Sequence, residues 1–361
     1  LVRVDVIFLD DAAHITMTSA LIAFFHIKKA ISESIAKQNF NLAKCVLYIQ
    51  EGSDVTADAA AAQFPGRIIH PGTPEQERGF KYLGAPMGNP SFVKHFLETL
   101  LTRLEKLGRK LATVNNMQYR GLLLTYSFVH NARFILRVLD PKTTEQFAKS
   151  LQLFHLGLLE AATGLEGTFV ARGSDSNGAS QPDDPKETER DWLVTMAQLP
   201  FADGGFGIGD LGAIAPAAYL ASHRLTASSG LLEKLPALAA VLNTDFLAAD
   251  PDPASSHPLR GQLKNALAWL GGKPEMTELD KCTLADLAGH EFTQSSLTHA
   301  AYDYQRKSLI KTTKFFLDNP DSEDHERAAA GRTLQALMGA TGGETSYWCR
   351  ALPVDATSTF S

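Results

Sequence analysis

Leu1-Val-Arg-Val-Asp-Val-Ile-Phe-Leu-Asp-Asp11 decides how the front of this chain is read. Val2, Val4, Val6 and Phe8 alternate with Arg3, Asp5, Ile7 and Leu9, the two-residue period of a strand rich in β-branched side chains. Asp10-Asp11-Ala12-Ala13 then turns the chain, and His14-Ile-Thr-Met-Thr18 can return as the partner strand. Neighbours on a straight strand face opposite ways, so Asp10 and Asp11 can address one ligand only where a tight turn re-aims one of them. A hairpin supplies that turn. Carboxylate oxygens completed by substrate phosphates suit Mg2+, and two such ions can clamp the attacking and leaving oxygens of nucleotidyl transfer. A turn with no chemical role is the competing reading, because Asp is a common turn residue. The strand also starts at residue 1 with no lead-in segment, which predicts a chain shortened at its N-terminus.

Outward from this corner, Ile22, Phe25, Ile27, Ala30, Ile31 and Ile35 predict an amphipathic helix between Ala20 and Lys37. A turn at Asn39–Asn41 leads to a strand over Ala43–Ile49, and Asn41-Leu-Ala-Lys-Cys45 sets Lys44 at its mouth. A lysine there can hold a triphosphate or protonate a departing pyrophosphate; a solvated strand-end lysine is the alternative. Residues 51–65 read as an Ala-rich helix and Arg67-Ile-Ile69 as a short extended piece. Phe80-Lys-Tyr-Leu-Gly84 is a strand closed by glycine, and Ala85-Pro-Met-Gly88 completes a hairpin whose glycines permit close backbone approach. Ser91 is positioned to cap a helix carrying Phe92, Phe96, Leu97, Leu100, Leu101, Leu104 and Leu107 at helical spacing. Further helices are expected at about 116–138, 142–163, 188–198, 211–243 and 260–340. Strands first and helices after predict an α+β chain.

The formal net charge of −6 alone argues against a nucleic-acid binder. The local distribution reverses this. Between Arg78 and Lys142 stand eleven basic residues against three acidic ones, an excess of eight. Arg103, Lys106, Arg109, Lys110 and Arg120 are the core of that stretch, and a polyanion backbone is its natural partner, with a solvated helical face as the alternative. Gln118, Tyr119 and Arg120 can touch nucleic acid or be plain helix surface. The three cysteines, Cys45, Cys282 and Cys349, lie far apart without metal-ligand spacing, which points to a reducing intracellular compartment. No apolar run nears the roughly 18 residues of a membrane span, so no membrane association is expected.

Taken in order, these segments resemble the C-terminal part of the reverse transcriptases of non-LTR retroelements. Phe8-Leu-Asp-Asp11 is similar to their catalytic aromatic-x-Asp-Asp motif, with Phe where Tyr is usual. Asn41–Cys45 resembles the next palm motif, and Phe80–Gly84 the primer-grip hairpin. Downstream, Leu199-Pro-Phe-Ala-Asp-Gly-Gly-Phe-Gly-Ile208 and Ala215-Pro-Ala-Ala-Tyr-Leu-Ala-Ser222 are similar to a run that follows the thumb in these elements. Tyr347-Trp-Cys-Arg-Ala-Leu-Pro353 resembles a segment near their end.

The resemblance implies a partial polymerase palm, a small antiparallel sheet with helices, over 1–90. It implies a helical thumb-like region over 91–170 and a helical extension over 191–361, and the polar, Gly-, Ser- and Pro-rich composition of 171–190 predicts a flexible loop between them. It assigns catalysis to Asp10, Asp11 and Lys44, and Mg2+ to the two aspartates. Lys81, Tyr82, Gly84 and the five basic residues above would contact an RNA template and DNA primer, or their hybrid. The third metal-binding carboxylate and the fingers are expected upstream of Leu1, so the chain alone is expected to be inactive. Asp5 cannot substitute, and no endonuclease segment is evident. A non-catalytic nucleic-acid-binding or helical interaction protein derived from the same fold is the alternative. The sequence leaves oligomeric state open and does not separate nucleus from cytoplasm.

Overall fold

The computed structural model describes residues 4–8, 11–15, 18–35, 37, 41–163, 169–170, 185–203, 205–228, 266 and 293–339. These form an α+β structure in which helix dominates, and the chain divides into two compact units, Leu1–Leu100 and Leu101–Ser361. Of the loop expected over 171–190, residues 171–184 lie outside the described residues and 185–190 are already helical. The helix expected through 229–243 and the segment 347–353 also lie outside them.

In the first unit, β1 (Val4–Phe8) and β2 (Asp11–Ile15) pair antiparallel, with Phe8 opposite Asp11 and Asp5 opposite His14. The helix α1 (Thr18–Ser34) follows. Its first turn is capped from afar: Asp54 accepts from the backbone N–H of Thr18 at 3.0 Å and from the hydroxyl of Ser19. That Ser19 bond holds the Asp54 carboxyl below its ordinary range, as expected for an anion at a helix N-terminus. Ile22 and Phe25 of α1 pack with Leu47, Ile49, Ala60 and Phe64 in a small core, the Phe25 and Phe64 rings edge-on at 4.8 Å. The predicted apolar face of α1 is only half used, since Ile27, Ile31 and Ile35 are exposed.

The 3-10 turn Leu42–Lys44 leads to β3 (Val46–Tyr48), α2 (Ala57–Ala61) and β4 (Arg67–Ile69). Here the structure departs from the expected single antiparallel sheet. β3 and β4 pair parallel through the α2 crossover, and the strands fall into three separate two-stranded ladders among the described residues. The expected helix over 51–65 shrinks to α2, which Thr56 caps through the N–H of Ala59.

The third ladder is the hairpin β5 (Gly79–Tyr82) and β6 (Ala85–Gly88). Tyr82 pairs with Ala85, so Leu83-Gly84 is a two-residue loop, and both have positive φ, +47° and +92°. This is the primed turn whose twist matches paired strands, and it favours Asn-Gly. A leucine in that left-handed well is strained by roughly 1–2 kcal/mol. Leu83→Asn is therefore expected to stabilise the unit by about 1 kcal/mol, readable as a later urea midpoint with unchanged slope. An unchanged or earlier midpoint would show that Leu83 is not strained.

The long helix α3 (Pro90–Ala112) begins at Asn89, whose side chain accepts from the N–H of Phe92 at 2.8 Å with Pro90 in the first helical position. Asn89 thus takes the capping role expected of Ser91, whose hydroxyl instead bonds Glu75 at 3.0 Å. The border between the units falls within α3.

In the second unit follow α4 (Met117–Tyr126), a 3-10 turn at Phe128–His130, α5 (Arg133–Val138) and α6 (Pro141–Thr163). Then come α7 (Pro185–Gln198), α8 (Leu211–Ser228), α9 (Gln294–Asp318) and α10 (Asp324–Gly339). Leu211 and every residue from Ala213 to Ala221 are buried, which makes α8 a central helix packed by α5, α6 and α9. Trp192, Met196, Leu199, Tyr302, Leu309, Ala329 and Ala330 form a second core. No helix among the described residues is long and apolar enough to cross a membrane.

Candidate nucleic-acid interface and carboxylate corner

The carboxylate corner is defined by backbone alone. Asp10 and the side chain of Asp11 lie outside the described residues, while the β1–β2 register puts Asp11 opposite Phe8, with Leu9 and Asp10 between them in sequence. Asp5 sits three rungs away, about 10 Å along the strand, which removes it as a third ligand. Among the described residues no group of three His, Cys, Asp or Glu side chains is arranged to hold a metal.

Lys44 ends the 3-10 turn before β3, and its side chain is exposed. Next to it the half-buried Cys45 thiol donates to the carbonyl of Asn41 at 3.4 Å, and burial pushes its pKa up. On the hairpin, Lys81 is exposed opposite Pro86, Tyr82 is half-buried, and Gly84 supplies the second turn position. The Phe80 ring lies 6.0 Å from that of Tyr48 on β3. Hairpin geometry is tight at its base: a Cβ on Gly79 would run into the Phe92 ring and lie 2.7 Å from the Met87 carbonyl. The Arg78 guanidinium is held in place at the base of the hairpin, donating twice to the carbonyl of Thr73 at 3.2 and 2.9 Å.

In the second unit the α3 side chains sort by face. Leu104 and Gly108 are buried, while Arg103, Lys106, Arg109 and Lys110 are exposed. At 100° per residue, Arg103, Lys106 and Lys110 fall on one side of the helix. Arg109 reaches Glu105 at 3.6 Å, a largely exposed pair of small energetic weight. Glu105 is the only acidic residue between Leu101 and Thr113, so this face keeps a net positive charge.

Arg120 stands apart. Its Nη1 donates to the carbonyls of Ala112 at 3.3 Å and Ala161 at 3.0 Å, near the C-terminal ends of α3 and α6. A cation there satisfies helix-end carbonyls that would otherwise lack partners. Arg120 therefore joins helix ends, while Arg103, Lys106, Arg109 and Lys110 remain exposed.

The glycine-rich run after α7 has a structural explanation. The N–H groups of Gly207, Ile208 and Gly209 return to the carbonyls of Leu199, Ala197 and Gln198 at 2.9, 3.2 and 3.1 Å, closing the C-terminus of α7. Gly207 and Gly209 have φ of +71° and +78°, the backbone this closure demands. Asp210 then starts α8: one oxygen accepts from Gly212 N–H at 2.9 Å and the other from Gln305 Nε2 at 2.7 Å. Gln152 of α6 accepts from Leu211 N–H at 2.9 Å. Asp210 and Gln152 do not stand out in the sequence, because their partners lie 95 and 59 positions away.

No protein-family model matches the chain, and no curated protein or solved structure is found similar to it.

Proposed function

We propose that the chain is the palm-to-thumb portion of a reverse transcriptase of the non-LTR retroelement kind. The observation that carries this reading is order. A hairpin bearing Asp10–Asp11, a helix, a turn-then-strand bearing Lys44, a tight hairpin at Phe80–Gly84 and a long basic helix succeed one another as the family's motifs do. In the intact enzyme Asp10 and Asp11 would hold Mg2+ together with substrate phosphates, and the metal supplies charge stabilisation of nucleotidyl transfer. Lys44 would meet the triphosphate. Lys81, Tyr82 and Gly84 would meet the primer, while Arg103, Lys106, Arg109 and Lys110 would follow a phosphate backbone. An intracellular location belongs to the same reading.

A second reading, a non-catalytic nucleic-acid binder of the same ancestry, is favoured by the basic face of α3, which needs no metal to act. Primer extension on an RNA template with Mg2+ separates the two. It is run with this chain, with the longest natural translation product containing it, and with Asp10→Ala in each. Extension that Asp10→Ala abolishes supports the polymerase reading. Salt-sensitive binding of an RNA–DNA hybrid without extension in any form supports the second. Neither extension nor hybrid binding would overturn both.

A further inference from the structure

The helix α4 presents Tyr119, Leu123 and Tyr126 at spacings of four and three, and these are 55%, 45% and 58% exposed. Such spacing puts all three on one helix face, the two rings about 10 Å apart along the axis. Large apolar and aromatic side chains aligned and exposed this way mark a contact surface. The stripe has a charged neighbour. Arg120, adjacent to Tyr119, bonds Ala112 at the end of α3 at 3.3 Å. Arg109 and Lys110 lie in the last turn of that helix, with Lys106 one turn earlier. An aromatic face on α4, directly after a helix that carries a row of exposed cations, fits one ligand chemistry well: unpaired bases with π-faces to stack, on a backbone of phosphates. A duplex offers the phosphates but keeps its base faces stacked inside.

We propose that the corner between α3 and α4 binds single-stranded nucleic acid, with bases stacking on Tyr119 and Tyr126 and phosphates held by Lys106, Arg109 and Lys110. The corner shares the basic face of α3 with the polymerase reading but does not rest on it. It stands on exposed side chains and charge, and it asks for a strand rather than a duplex.

Fluorescence anisotropy with the full chain tests it, using labelled oligo(U), oligo(dT) and a duplex, each of roughly 15 nucleotides, about one single-strand site. Tyr119→Ala and Tyr126→Ala are each expected to weaken both single strands roughly tenfold, with Tyr119→Phe close to wild type and the duplex unaffected by any of the three. Lys110→Gln is expected to weaken all three ligands. Equal affinity for the two oligomers identifies a generic strand site, and a preference for oligo(U) adds a contact to the 2′-hydroxyl; both support the proposal. Unchanged single-strand affinity in Tyr119→Ala and Tyr126→Ala, or equal losses for strand and duplex, overturns it. So does a dimer in sedimentation that Tyr119→Ala dissociates without changing oligonucleotide affinity, which would assign the stripe to a second copy of the chain.

Discussion

Between pH 6.5 and pH 4.5 the helical unit is expected to lose several kcal/mol of stability, and His155→Leu to remove about 2 kcal/mol of that loss. His155 projects from α6 into the core at 0% exposure, its ring edge-on to Phe128 at 5.5 Å. Neither ring nitrogen has a hydrogen-bond partner among the described residues. Burial, with the nearby His130 adding repulsion, pushes its pKa down to about 3. Above pH 6.5 the ring is neutral in folded and unfolded chain alike and contributes no pH dependence. Below that value the unfolded chain takes up a proton that the folded chain refuses until about pH 3. Stability therefore falls with pH through this window, by about 1.4 kcal/mol per unit for one ring. His223, pushed down to about 4 by burial, adds to the same slope. The Asp54 carboxyl of the other unit is also lowered, so its contribution is lost only in more acidic solution, as pH falls below the ordinary carboxyl range. Urea titrations at pH 7.5 and 4.5 check this. His155→Leu should leave pH 7.5 stability equal or higher, since no polar atom is then buried without a partner. A variant with the wild-type acid slope would refute the assignment.

Local chemistry was legible in the sequence where it acts over a few residues, and it failed where partners are far apart. Alternation through Val4–Phe8 marked the first strand of a hairpin, but the turn expected at Asp10–Ala13 is tighter. β2 already starts at Asp11 and ends at Ile15, and Thr18, expected in the return strand, opens α1. Gly84 marked the second hairpin, although Leu83 in the left-handed well was not foreseeable from its side chain. The apolar spacing of α3 held at Leu97 and Leu104 but not at Leu107, which is exposed. Pairing of β3 with β4 was beyond reach, since three-residue strands carry no face preference to choose parallel from antiparallel. The cap of α1 by Asp54, the joining of two helix ends by Arg120 and the bond from Gln305 to Asp210 share that cause. For the site, basic side chains were found by counting charge, yet only three-dimensional placement separates Arg120 from the exposed Arg103, Lys106, Arg109 and Lys110. The aromatic stripe of α4 was half visible: Tyr119 stood out beside a basic residue, while Leu123 and Tyr126 needed the helix phase.

Gly205→Ala is expected to destabilise the helical unit by about 3 kcal/mol, lowering its melting temperature by roughly 10 °C. A Cβ at this position would overlap the carbonyl oxygen of Leu199 and lie 2.5 Å from that of Met196. Both belong to the end of α7, where the Leu199 carbonyl already accepts from Gly207 N–H at 2.9 Å. A clash with a flexible side chain can be relieved by rotation; a clash with two backbone carbonyls moves the helix end or the loop. Either movement opens the bonds from Gly207, Ile208 and Gly209 that close α7, and it loosens Leu199, which is fully buried among Trp192, Met196 and Tyr302. The same substitution elsewhere should act in the opposite sense. Gly157 lies within α6, and a Cβ there would have no neighbour within 4 Å, so Gly157→Ala meets no obstacle. Alanine reduces the freedom of the unfolded chain and improves helix propensity, and the change should stabilise by up to about 1 kcal/mol. Opposite signs in calorimetric melts of the two variants would tie the glycine-rich run to closing a helix. If Gly205→Ala melts with wild type, the run is free for a role in binding, and the close approach at Leu199 is not what constrains it.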